Sequence, residues 1–135
     1  MAEPGLLGPL EAEVLDIVRR RGPSTVADVA EQVNAIRPDR PLAYHTVLTV
    51  LRRLEGKGAL GHERRGRAFH YRAMRSEDQF LEFKAAEATR ALLARFGDAA
   101  LAGFAGELSG DPRRRALLEE MLEDGDHDGD DNPAP

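Results

Sequence analysis

Residues 43–72, AYHTVLTVLRRLEGKGALGHERRGRAFHYR, decide the fold. The first half places Val47, Val50, Leu51 and Leu54 at three-and-four spacing, the buried stripe of an amphipathic helix over 43–55. Gly56 and Gly58 then end that helix. After Ala59 the period shifts toward two. Short runs at 59–63 and 68–72 flank Arg64-Arg65-Gly66-Arg67, which predicts a β-hairpin over about 60–72 with a basic tip. Upstream, Leu10, Val14, Ile17 and Val18 share one face of a helix over 10–21, entered through Pro9 and stopped by Gly22-Pro23. Ser24 or Thr25 caps a second helix through about Val33, with Val26, Val29, Ala30 and Val33 inward. Residues 34–41, with two prolines, read as a loop. Three helices followed by a hairpin is the order of a winged helix-turn-helix, a mainly α fold with a small β-hairpin wing.

Charge follows the same division. The whole chain of 135 residues carries a formal −5, which by itself argues against nucleic acid. Residues 40–75, however, hold nine Lys/Arg against Glu55 and Glu63, a local +7. With the stripe of the third helix facing the core, His45, Thr49 and Arg52 point the opposite way and Thr46, Leu48 and Arg53 lie on the flanks. A helix fits the major groove, where Thr and Arg side chains bond base edges or phosphates and Leu48 or a Thr methyl touches a thymine methyl. Arg64, Arg65 and Arg67 on the hairpin then reach the sugar-phosphate backbone, so double-stranded DNA is the expected partner.

From Ser76 the chain returns to helix, over 76–95, 99–108 and 112–123, with Ser76 and Gln79 forming a capping box. Phe80, Phe83, Leu92, Leu93, Phe96, Leu101, Phe104, Leu108, Leu117, Leu118, Met121 and Leu122 exceed the apolar surface that three short helices hide among themselves. An isologous homodimer interface would cover it; packing back onto the same chain's head is the plainer reading. The expected organisation is a winged-helix DNA-binding domain (1–75), a helical dimerisation domain (76–123) and a disordered acidic tail (124–135). Within that tail, Asp124 to Gly129 match the opening of a calcium loop, but its twelfth position falls on Pro135 where a bidentate glutamate is required. His62 and His70, on the two arms of the hairpin, are a conceivable ligand pair, although sheet histidines are far more often not ligands.

Three stretches carry a family resemblance: 10–15 (LEAEVL), 46–60 (TVLTVLRRLEGKGAL) and 66–71 (GRAFHY). Together they resemble the penicillinase-repressor family of bacterial regulators (BlaI, MecI and CopY types), most specifically over residues 7–72. The resemblance implies a homodimeric repressor with one winged helix on each half of a palindromic operator and C-terminal helices that interlock the subunits. It also implies that Thr46, Thr49 and Arg53 lie among the DNA-facing positions. The copper-sensing members use a C-terminal cysteine cluster, and zero cysteines exclude that mode here. The β-lactam-responsive members are cleaved at an Asn-Phe bond; the nearest match in this chain is Gly103-Phe104, so that trigger is not carried over.

The apolar runs are too short for a membrane span, and residues 1–14 lack the pattern of a signal peptide, so a cytoplasmic chain with no membrane partner is expected. No nucleophile elbow, phosphate-binding glycine loop or metalloprotease helix occurs, so neither catalysis nor a cofactor is expected. Two other readings share the architecture. One is a winged-helix adaptor for a protein partner, which would not need the +7 segment; the other is a ligand-gated transcriptional regulator.

Overall fold

A computed structural model describes residues 5–130, with side chains to residue 125. Eight elements follow in order: α1 (Pro9–Arg21), α2 (Val26–Ile36), α3 (Tyr44–Gly56), β1 (Leu60–Arg65), β2 (Ala68–Ala73), α4 (Glu77–Phe96), α5 (Asp98–Ser109) and α6 (Pro112–Asp130). Contacts divide the chain into two units, Met1–Ala85 and Ala86–Pro135, with the boundary inside α4.

The first unit is a winged helix. Pro9 opens α1, the Gly8 amide donates to Glu11, and Arg19, Arg20 and Arg21 complement the partial negative charge of the last turn. Thr25, rather than Ser24, caps α2: its hydroxyl accepts from the Asp28 amide while its own amide donates to the Asp28 carboxylate. The helix continues to Ile36, beyond the expected Val33, because the backbone restriction imposed by Pro38 begins only at Arg37. Asn34 then holds the loop into α3 through paired bonds to the Leu42 carbonyl and amide, 3.1 and 2.7 Å. The stripes of the three helices meet around Val14, Val18, Val29, Val33, Val47, Leu51 and Leu54, all fully buried.

The hairpin pairs Leu60 with Ala73 and Arg65 with Ala68, so Arg64 and Arg65 belong to β1 and only Gly66-Arg67 form the loop. Gly66 has φ +65° and Arg67 does not share the positive sign, the pattern of a type II′ turn that suits the twist of paired strands. A two-residue loop fixes the register. His62 therefore pairs with Tyr71 and His70 with Glu63, which places the two histidines on opposite faces and rules out the ligand pair considered above. Ser24 adds a short bridge to the sheet edge, exchanging backbone bonds of 2.9 and 2.7 Å with Tyr71.

The second unit comprises the rest of α4 with α5 and α6. Asp111 caps α6, accepting from the Arg114 amide, and Pro112 takes the first helical position. Helix α6 extends to Asp130, so residues 124–130 of the expected tail, including the calcium-loop sequence, are helical. No proline occurs between Pro112 and Pro133, and each added residue of an existing helix gains a backbone bond. The remainder of that tail lies outside the described residues. None of the described residues in this unit is buried, and no helix among the described residues is long and apolar enough to cross a membrane.

Candidate nucleic-acid interface

Helix α3 presents two chemically distinct sides because its apolar residues recur at helical spacing. Val47, Leu51 and Leu54 are fully buried and Val50 nearly so, while His45, Thr46, Arg52 and Arg53 are exposed. Leu48 and Thr49 lie half-buried at the edge. Leu48 packs against the core, and the Thr49 hydroxyl donates to the His45 carbonyl at 3.0 Å, leaving its oxygen lone pairs outward.

Arg64, Arg65 and Arg67 are all exposed at the hairpin's far end. Arg65 pairs with Glu63 at 2.6 Å, and Arg64 donates through Nε to the Gly66 carbonyl. Both retain donors for another acceptor, since a guanidinium carries five N–H groups.

Between helix and wing runs a groove of about 580 Å³, lined on the helix side by Tyr44, Leu48, Arg52 and Glu55 and on the wing side by His62, Arg67, Phe69 and Tyr71. Its walls brace the wing against the helix. His62 Nδ1 meets the Glu55 carboxylate, and the His62 ring stands edge-on to Phe69 with centroids 5.1 Å apart. Arg52 and buried Tyr71 line this groove together. Burial pushes the Tyr71 hydroxyl above its ordinary range and the nearby Glu55 charge adds to the rise, against the opposing pull of Arg52. Arg52 thus faces the groove beside the wing, whereas the charge of Arg53 is felt at Glu11 of α1.

Two residues of this surface fall outside the expected DNA-facing set: Tyr44 and Phe69, whose side chains are more than half exposed. For Phe69 the available signal is the period of two, since it shares a strand face with Tyr71 but lies beyond the reach of the core.

The penicillinase repressor family model matches residues 7–124. The chain belongs to that family. Transcriptional regulator BlaI of Mycobacterium tuberculosis, in strains CDC 1551 / Oshkosh and ATCC 25618 / H37Rv, is 39% identical over 82 residues, 60% of this chain and 57% of the relative. The matched stretch therefore spans little more than half the length of these relatives. A solved MarR family protein from Bacillus stearothermophilus shares 20% identity at a TM-score of 0.46, covering 86% of this chain and 76% of that one.

The penicillinase-repressor chain also carries the apolar residues expected at a subunit interface, and the structure sorts them. Phe80 is fully buried in the core of the winged helix, and Phe83 is half-buried one turn later beside Gly58. Full burial removes Phe80 from any exposed surface, while part of Phe83 stays exposed. Leu92, Leu93, Phe96, Leu101, Phe104, Leu117, Met121 and Leu122 are each more than two-fifths exposed; Leu108 and Leu118 are half-buried. An apolar cleft of about 370 Å³ opens among Leu92, Leu93, Leu101, Phe104, Leu118 and Leu122.

Proposed function

We propose that this protein is a transcriptional repressor that binds a palindromic operator as a homodimer, with α3 in the major groove and the hairpin on the backbone. The observation that carries the reading is that His45, Thr46, Arg52 and Arg53 of α3 and Arg64, Arg65 and Arg67 of the hairpin are all exposed, in a fold whose third helix suits a groove. Thr46, Thr49 and Arg53 read base edges, with His45 and Leu48 beside them. Arg52 lies between these positions and the wing and belongs to the DNA-facing set, and Arg64, Arg65 and Arg67 grip phosphates. Family membership and the name of the mycobacterial relatives support the regulatory role.

The dimer rests on the second unit, where an unburied apolar surface of this extent is costly in water and a matching patch on a second copy would cover it. Two heads would then present recognition helices about 34–36 Å apart, one turn of duplex.

The test is selection of binding sites from random duplexes with the full chain, followed by titration at two salt concentrations and sedimentation of the complex. The expected result is an inverted repeat bound by two chains with steep salt dependence. Binding without salt dependence or sequence preference would overturn the proposal in favour of a protein-docking wing.

A further inference from the structure

The groove between α3 and the wing holds two side chains to which the DNA-facing set gives no role, Tyr44 and Phe69, both more than half exposed. The alternation of β2 puts Phe69 on the face of Tyr71, and the register sets His62 of β1 opposite Tyr71. The His62 ring accordingly adjoins both, edge-on to Phe69 with centroids 5.1 Å apart and tilted against Tyr71 at 5.7 Å. Three rings thus make one wall, with buried Tyr71 at its inner end. Tyr44, the first residue of α3, and half-buried Leu48 one turn later line the other side. At about 580 Å³ the groove has the volume of a small-molecule pocket, for which roughly 300–1,000 Å³ is usual.

Aromatic walls favour a flat ligand, and charge selects among flat ligands. Arg52 of α3 and Arg67 of the turn line the groove, both exposed. Among the described residues the lining carries a single carboxylate, that of Glu55, and it already meets His62 Nδ1. Two guanidiniums against one engaged carboxylate leave the balance positive. A guanidinium binds a carboxylate through two parallel N–H donors, and an aromatic ring gains by stacking on another or standing edge-on to it. A bare inorganic anion would satisfy the arginines and leave the rings wet; a neutral arene would do the reverse.

We propose that this groove is a binding site for a small planar aromatic carboxylate, with its ring against Phe69 and Tyr44 and its carboxylate on Arg52 and Arg67. The site lies wholly within the winged helix and stands whether or not the chain binds DNA. Its regulatory use rests on the DNA-binding role proposed above. Arg52 and Arg67 belong to the DNA-facing set, so a carboxylate that engages them competes with the duplex, and the duplex weakens the ligand by the same factor.

The chain contains two tyrosines, Tyr44 and Tyr71, and both line the groove. Isotope labelling of the tyrosine rings in the full chain therefore reports this site by nuclear magnetic resonance and carries no label in the apolar cleft of the second unit. The probe is naphthoate, with cyclohexanecarboxylate and naphthylmethylamine as controls and Tyr44→Phe to assign the signals. Naphthoate should shift both signals saturably and bind at least about tenfold more tightly than either control. Phe69→Ala and Arg67→Gln should each weaken it by about tenfold. No saturable shift, a shift matched by the amine, or unchanged affinity in both folded variants would overturn the site. On the selected duplex, naphthoate should release the chain, and Phe69→Ala should need about tenfold more of it. Binding without release would overturn the regulatory use alone. A chain that selects no duplex would overturn the DNA-binding reading and the regulatory use with it, while the tyrosine signals still decide the site.

Discussion

Replacing Gly58 by alanine tests the packing that joins α3, the wing and α4. At φ +85° an L side chain pays for the left-handed region, about 1–2 kcal/mol. The added Cβ also falls 2.7 Å from Phe83 Cε1 and 3.3 Å from Cζ. That ring is capped by Arg75 and cannot swing aside freely, so overpacking adds about 1–3 kcal/mol. The sum, about 2–5 kcal/mol, corresponds to a fall in Tm on the order of 10–30 °C for a unit of this size. Two other glycines separate the contributions. Gly66 has φ +65° with open space around it, so Gly66→Ala should cost only the backbone term, about 1–2 kcal/mol. Gly56 closes α3 with neither positive φ nor a neighbour within 4 Å, and Gly56→Ala should be neutral or stabilising by about 0.4–1 kcal/mol. Thermal melts and urea titrations of the three variants should therefore rank Gly58→Ala well below Gly66→Ala, with Gly56→Ala at or above the parent. A Gly58→Ala loss no larger than that of Gly66→Ala would mean the Phe83 ring moves freely, and the close packing of Gly58 against it would carry no stability.

Neutralising Arg64, Arg65 and Arg67 to glutamine should weaken binding alike on all duplexes and reduce the slope of log K against log salt by about 0.9 for each phosphate no longer neutralised. Arg53→Ala or Thr49→Val should instead cost about 1–3 kcal/mol and relax preference at one base pair; identical behaviour of the two sets would refute the division of roles. If the proposed dimer forms through the second unit, Leu101→Glu combined with Phe104→Glu should yield a monomer in sedimentation while the winged helix stays folded, and a persistent dimer would move the interface elsewhere. Acid stability follows from two carboxyls. Backbone and side-chain bonds to Thr25 and the charge of Arg21 hold Asp28 below its ordinary range despite partial desolvation. For Glu11, burial pushes upward, but Lys57, the Gly8 amide and the charge of Arg53 outweigh it. Groups depressed in the folded state stabilise it above their unfolded values, about pH 4, and lose that contribution as pH falls through the lower folded values. Urea midpoints should drop below about pH 4, and less so in Asp28→Asn; a midpoint that rises there would contradict the assignment.

Much of the head was legible because its signals are local. The stripe Val47, Val50, Leu51 and Leu54 needs only the helical period, and the turn around Gly66 needs only the glycine and the alternation beside it. The basic character of α3 and the wing is a property of composition over a window, and it stands whatever the detailed packing. Other features depend on what lies opposite a residue. Hydrophobicity marked Phe80 and Leu101 alike; packing buried the first in the head and left the second exposed, since an apolar side chain does not encode which surface covers it. The separation of His62 from His70 waited on the register, because a shift of one residue reverses every facing. Arg52 and Arg53 are adjacent and chemically identical, yet one lines the groove beside the wing with Tyr71 and the charge of the other is felt at Glu11. Sequence by itself determined the order of elements, their inner faces and the positive charge of α3 and the hairpin, all set by residues near in the chain. Tertiary structure alone decided which partner each side chain met, because the contacts of Arg75 with Gly58 and Phe83, or of Ser24 with Tyr71, exist only once distant segments are brought together.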